Sequence, residues 1–478
     1  MTAHTTPPPA PSGIGIPDEV HTRLGTLRFV DGFPDDATTW TLFDNLDFQR
    51  AVQAYLLGLP PVDMAAMRAA LLHWGPANTT MAIWEDLVHP WFIGLAYNTS
   101  TSYCYSWLDL HDGPLVLEVP PGVYGGIGDH WCRYVIDLGQ TGPDQGRGGK
   151  YLLVPSGYDG EVPADHIVVR TPTYGNWLVY RGFLDEDGDP HPEVEKIKAR
   201  ARCHPLSQAA DPPPMRFVNA SPETAVAVPP ADYRFWELLN EVVQSEPPES
   251  ADPLTLGMFA SIGIQHGKPF TPDARMQAIL TEAATVGDGT ARALTYRFRQ
   301  REAYYYPGSA WRYGFLGGYR FQADGTGLLD SAVQLYFWGG ATNPGMAAKM
   351  IGRGSQYALA FVDAGGEPFD GGVDYRLHVP PNVPVNNFWS VLVYDTQTRS
   401  MLQTGQEWPS VTSQDRELVV NDDGSVDVDF GPEAPAGQRN WIQTVPGKRW
   451  FTIFRLYGPL EPWFDKTWRL PDIEPARG

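Results

Sequence analysis

Two runs in the last fifth of the chain constrain the fold most: Asn386-Asn387-Phe388-Trp389-Ser390-Val391-Leu392-Val393-Tyr394-Asp395 and Arg449-Trp450-Phe451-Thr452-Ile453-Phe454-Arg455-Leu456-Tyr457-Gly458. Dense aromatic and β-branched residues bounded by Pro, Asn and Gly are the pattern of strands in a buried antiparallel sandwich. Neither run carries a catalytic signature, so the pattern speaks to architecture before chemistry.

At 478 residues the chain exceeds the size at which one core keeps growing, which points to two domains and a connecting region. A hydrophobic share of 42% rules out disorder throughout, and 49 Gly with 45 Pro favour short strands and turns over long helices. The expected fold is mainly β with helical insertions: two jelly-roll-like antiparallel β-sandwich domains joined by a helical region. A Thr/Pro-rich start predicts a disordered tail over residues 1–20. An N-terminal domain over 21–190 begins with helices and continues as a sandwich, a helical connection spans 191–303, and the C-terminal sandwich takes 304–478.

Helical patterns start at Asp47 and at Asp63, each read as an N-cap, with Gly58-Leu59-Pro60-Pro61 ending the first helix. Strands are predicted at Leu115-Val119, Trp131-Asp137, Tyr151-Val154 and Ile167-Arg170, separated by turn residues. A long helical face with Met276, Ile279, Leu280, Ala283 and Val286 follows. No internal repeat is evident.

The net charge of -21 disfavours nucleic acid and anionic membrane as partners, because an acidic surface is repelled by both. The start of the chain shows neither the basic nor the apolar stretch of a signal peptide, and no window has the apolar length of a spanning helix, so the cytoplasm is the expected location. Cys104, Cys132 and Cys203 form no close pair, which argues against a disulfide framework and for inert thiols. The eleven histidines lack any HxH, HxxxH or HxxE spacing, so no metal site and no cofactor is predicted, though a divalent metal held by distant ligands stays open.

Nucleophile elbows, P-loops and dinucleotide-binding glycines are missing as well. Four features remain as candidates. The first is the polar cluster of Asn98, Thr99, Thr101 and Tyr103, which can orient a small polar group or satisfy a turn. The second is Arg133 with Asp137, four residues apart in an apolar run and expected on one face as an ion pair or a pocket lining. The third is Tyr394 with Asp395 at a strand end. Tyr306 and Trp311, in the aromatic strip from Tyr304 to Phe315, could line a ligand pocket, bury a subunit interface or pack between domains.

Several segments together resemble a known bacterial family. In the first half they are Asn98-Thr99-x-Thr101-x-Tyr103, Trp107-Leu108-Asp109-Leu110, Gly113-Pro114-Leu115-Val116-Leu117-Glu118-Val119-Pro120 and Gly148-Gly149-Lys150-Tyr151-Leu152-Leu153-Val154. In the second half they are Tyr375-x-Leu377-His378-Val379-Pro380-Pro381, Phe388-Trp389-Ser390, Tyr394-Asp395, Asn440-Trp441 and Arg455-Leu456-Tyr457-Gly458-Pro459. On these residues the chain resembles proteins that pair the domains of unknown function DUF1254 and DUF1214. The resemblance implies two jelly-roll-like domains and a homo-oligomer, with no general reaction. Relatives carry an acidic residue where this chain has Ser100, which argues against a metal role for the Asn98 cluster here.

The functional expectation is an enzyme, with hydrolysis as the candidate reaction, acting on a hydrophobic small molecule in an aromatic-lined cleft between domains. Asn98 or Arg133 would stabilise a developing oxyanion, and Asp137 or Tyr394 would move protons. Thr99, Thr101, Tyr103, Tyr306, Trp311 and Asp395 would contact the substrate. The rival expectations are a non-catalytic binder of a small molecule or glycan and an oligomeric assembly protein.

Overall fold

The structure, a computed structural model, describes residues 13–437 and 440–476. The chain is mainly β, with several sheets and eight α-helices among the described residues and no closed barrel. Much of the expected tail lies outside the described residues; by Glu19 the chain is already a strand, paired antiparallel with Gly25–Val30.

A single helix then runs from Asp36 to Trp74, capped by Asp35, whose carboxylate accepts from the Thr38 amide at 2.7 Å. This corrects the expectation of two helices broken at Gly58-Leu59-Pro60-Pro61. Pro60 and Pro61 remove the N–H donors that Leu56 and Leu57 carbonyls would receive, yet the helix continues because packing outweighs that loss. Gly58 marks the reason: a Cβ there would come within 3.1 Å of Phe235, so the Arg234–Ser245 helix crosses at close range. Asp63 is thereby a mid-helix residue and not an N-cap.

Beside the small sheet at its start and the short pairing of Ile93–Gly94 with Val226–Ala227, the N-terminal half builds two main sheets. One has six strands in the order Arg216–Asn219, Thr80–Ile83, Thr101–Asp109, Gly175–Phe183, Tyr124–Asp129, Tyr134–Gly139. The other has four, in the order Ile167–Arg170, Gly149–Val154, Leu115–Val119, Arg202–Pro205. Both contribute to one core, with Cys104, Leu108, Leu178 and Tyr180 from the first facing Leu117, Tyr151, Leu153 and Cys203 from the second.

The C-terminal half repeats the plan with five strands (Arg312–Tyr313, Ser355–Ala360, Trp450–Pro459, Val385–Asp395, Ser410–Thr412) over four. Their shared core includes Ala358, Trp389, Val391, Phe454 and Leu456 from the large sheet, and Leu377, Val428 and Ile442 from the small one.

Strand alternation gives each large sheet a second buried face. Tyr103, Tyr105, Trp107 and Trp177 leave the N-terminal sheet on that side, and Tyr357, Leu359, Leu392, Tyr394, Phe451 and Ile453 leave the C-terminal one. These faces join the helices Asp36–Trp74, Arg234–Ser245, Ala274–Tyr296 and Leu329–Trp338 in the largest core cluster of the protein. The two halves are therefore fused through a common helical layer. The expected runs read as near-continuous apolar strands because both faces are covered.

Candidate functional site

Where the two large sheets approach each other, the helical layer leaves a cavity of about 300 Å³. Its floor is the long helix, through Asp63, Met64 and Met67. One wall is the N-terminal sheet, with Tyr103, Tyr105, Val179 and Arg181; the facing wall is the C-terminal sheet, with Tyr357, Arg455 and Tyr457. The segment from Trp338 to Asn343 closes one end, and the strand Tyr124-Gly125-Gly126-Ile127-Gly128-Asp129 passes along the side with three positions that occupy no side-chain space.

Asp63 is the unusual group. It is 1% exposed, and neither carboxyl oxygen has a hydrogen-bond partner among the described residues. Burial pushes its carboxyl up to about 8, with the positive charge of Arg399 opposing the shift, so the acid holds its proton at neutral pH. Room for it depends on a glycine: a Cβ at Gly340 would sit 2.9 Å from Asp63 Oδ2. Asp137, on the Tyr134–Gly139 strand, also lines the cavity, and burial raises its carboxyl to about 6.

Two arginines define the opposite region. Arg181 lies directly across the strand pair from Tyr103, its guanidinium carbon 5.9 Å from the centre of that ring. Arg455, across from Tyr357, donates to Tyr394 Oη at 2.6 Å and to the Ala96 carbonyl at 2.7 Å. Tyr394 in turn donates to the Tyr97 carbonyl at 2.6 Å, so a chain of bonds from both halves fixes the guanidinium. Neither arginine pairs with a carboxylate among the described residues.

The sequence candidates separate cleanly in space. Asn98, Thr101, Tyr103, Arg133 and Asp137 all line the cavity. Asn98 spends its side chain on structure, donating to Tyr103 Oη at 2.7 Å and accepting from the Ser100 amide and Thr101 Oγ1. Of the two arrangements expected for Arg133 and Asp137, the cavity lining is found and the ion pair is not. Residues 130–132 form a turn, with Cys132 at φ 59, and the strand pairing slips between Ile127 and Gly128. The alternation argument fails across that slip, and Arg133 instead pairs with Asp129 at 2.6 Å. The Trp131–Asp137 strand likewise begins only at Tyr134.

Four candidates lie elsewhere. Thr99 bonds Ser410 across the two halves at 2.9 Å, and Asp395 pairs with Lys448 at 2.5 Å. Tyr306 donates to the Trp468 carbonyl, and Trp311, fully buried, donates to the Pro471 carbonyl. Tyr306 and Trp311 are thus packed against the segment from Trp468 to Pro471, and the rings of the cavity come mainly from the two sheets, with Tyr97 from a loop and Trp338 from a helix. Tyr394 stands one layer behind the cavity wall, its hydroxyl engaged on both sides and pushed up to about 12 by burial.

Cys132 lines the cavity, but its thiol donates to the Gly340 carbonyl, and burial raises it well above the ordinary thiol value. His130 turns away to Glu246 at 2.6 Å. Among the described residues no group of three or more His, Cys, Asp or Glu side chains is arranged to hold a metal ion.

Reading by residue type missed Asp63, Arg181, Arg455 and Tyr457. The signal for the arginines was present: each interrupts a run of buried aromatic and aliphatic residues, Trp177-Leu178-Val179-Tyr180 and Ile453-Phe454.

Two family models match the chain. DUF1254, a protein of unknown function, covers residues 79–205, and DUF1214, likewise of unknown function, covers 354–461. The chain belongs to the family that pairs these two domains. Arg181 falls in the first matched segment and Arg455 in the second, whereas Asp63 precedes both. No curated protein matches the chain. Among solved structures, a Vibrio parahaemolyticus protein is 21% identical, with a TM-score of 0.54 over 90% of this chain and 100% of its own, which establishes a shared fold. An uncharacterised Burkholderia cenocepacia protein aligns at 14% identity over 92% of this chain and 96% of its own, with a TM-score of 0.40.

Proposed function

We propose that the protein is an enzyme performing acid–base chemistry, hydrolysis in the first instance, on a small hydrophobic molecule bound between its two large sheets. Asp63 carries the reading. An acid that keeps its proton at neutral pH inside an aromatic cavity is a proton donor in waiting, and Asp137, titrating near 6, is its basic counterpart. In hydrolysis Asp137 takes a proton from water as the water oxygen bonds to a substrate carbonyl carbon. Asp63 gives its proton to the leaving atom as that bond breaks, and the Tyr103 hydroxyl faces the oxygen that becomes negative.

The same reading takes each pair of sheets as a jelly-roll-like sandwich and the molecule as a cytoplasmic homo-oligomer, with nucleic acid and membranes outside its partners. A second reading, a non-catalytic carrier, is favoured by the complete absence of hydrogen bonds to the Asp63 oxygens, since such a group is insulated from exchange. Incubating the purified protein at pH 7 with a panel of aryl esters, amides and lactones separates the two. Conversion should fall by roughly 100-fold or more in both Asp63→Asn and Asp137→Asn. Unchanged conversion in Asp63→Asn contradicts the proton-donor role, and reversible binding without conversion by the unaltered protein establishes the carrier.

A further inference from the structure

We propose that the cavity recognises a carboxylate: its ligand is a small monoanionic acid with an apolar body, and the carboxylate sits between the guanidinium groups of Arg181 and Arg455. The proposal rests on the reading of the cavity as the functional site and names the class of molecule it takes.

Buried cations in proteins are ordinarily paired with carboxylates or bind an anion, because removing a guanidinium from water is costly. Arg455 is 2% exposed, and its partners are a phenol and a carbonyl, which are neutral. Arg181, half-buried, lines the cavity beside the Tyr103 ring and pairs with no carboxylate among the described residues. Arginine stays protonated inside proteins, so both charges persist. The protein as a whole carries a net charge of -21, yet this interior holds uncompensated positive charge.

The surroundings select the kind of anion. Tyr457 lies near enough to both guanidinium groups to feel each charge, and its hydroxyl is buried without a partner. An unpaired buried hydroxyl is expensive unless a ligand atom satisfies it, and it adds a third donor to the two guanidinium forks. Arg133 on the wall is neutralised by Asp129, and Asp63 is uncharged. With the exposed Arg353 at the rim set apart, the two inner guanidinium charges stand at neutral pH against one ionised carboxylate, Asp137, leaving a single positive charge inside the cavity. That balance suits a monoanion such as a carboxylate better than a phosphate dianion. The remaining lining of tyrosine, tryptophan and methionine suits an apolar body. Arg353, exposed at the rim, would draw anions toward the entrance.

The test uses the full chain and benzoate, with benzamide and methyl benzoate as neutral probes of similar shape, followed by calorimetry at pH 7. Benzoate is expected to bind at least tenfold more tightly than either neutral probe. Arg181→Gln and Tyr457→Phe should each reduce that preference several-fold, the loss for benzoate exceeding the loss for benzamide; both avoid the bonds that Arg455 makes to the fold, and circular dichroism checks folding. Equal affinity for benzoate and benzamide, or a preference that survives Arg181→Gln, overturns the carboxylate assignment but leaves a site for neutral hydrophobic molecules. Binding of none of the three probes overturns both.

Discussion

A carboxyl group placed mid-helix with both oxygens unbonded is kept neutral by the cost of charging it in a dry environment, and Asp63 shows the consequence for the whole molecule. Its folded value of about 8 lies above the ordinary 3.8, so the folded protein holds a proton that the unfolded chain releases. The contribution of Asp63 to stability is therefore most favourable below about pH 4, falls as the pH rises, and carries the full penalty above about 8. Asp63→Asn removes the titration. Chemical denaturation across this range should show the variant gaining on the unaltered protein, by on the order of 3–5 kcal/mol at the alkaline end. A difference that does not vary with pH would mean that Asp63 is ionised in the fold. This residue was not legible in the sequence because Asp63 also opens an Ala/Met-rich helical stretch, and an N-cap is the usual role for Asp there. Only the crossing helices, which carry the chain through Pro60 and Pro61, turn it into a buried acid.

At the scale of elements, strand patterning was readable and register was not. The runs at Phe388–Asp395 and Trp450–Gly458 are strands as expected, and their aromatic density reflects burial on both faces. Arg133 and Asp137 line the cavity without forming the ion pair that was the other expectation, because period-two reasoning cannot see the slip beside Gly128 or the turn at Cys132. The same parity argument, applied to the arginines inside Gly175–Phe183 and Trp450–Pro459, would have put both on the inner face. The long helix yields a prediction of its own. Pro60 is only partly buried and withholds one helical hydrogen bond, so Pro60→Ala should keep the helix and raise stability by up to about 3 kcal/mol, read from thermal melts. A loss of stability would mean that the chain breaks there into two helices.

For the whole molecule the decisive fact is the shared core. Aromatic faces of both large sheets and four helices meet in one cluster, so neither half has a complete interior alone. Scanning calorimetry should therefore show one cooperative transition for the described body of the chain; two separated transitions would mean that the halves are independent. Composition and texture suggested two β-rich halves and a helical middle, and the motifs pointed to the family pairing that the family models match. They could not reveal that the helical middle is a layer pressed between sheets, because that depends on contacts between residues hundreds of positions apart, such as Arg455 with Ala96. The cavity exists only in that assembly, and its acid, base and cations come from separate segments.

The central claim is that this cavity contains an acid that stays protonated at neutral pH. Infrared difference spectra of the unaltered protein against Asp63→Asn, recorded from pH 5 to pH 10, test it directly. A protonated-carboxyl band present at neutral pH, absent from the variant and vanishing with a midpoint near 8, is the predicted result. A carboxyl band that is already ionised at pH 5 and above would contradict it.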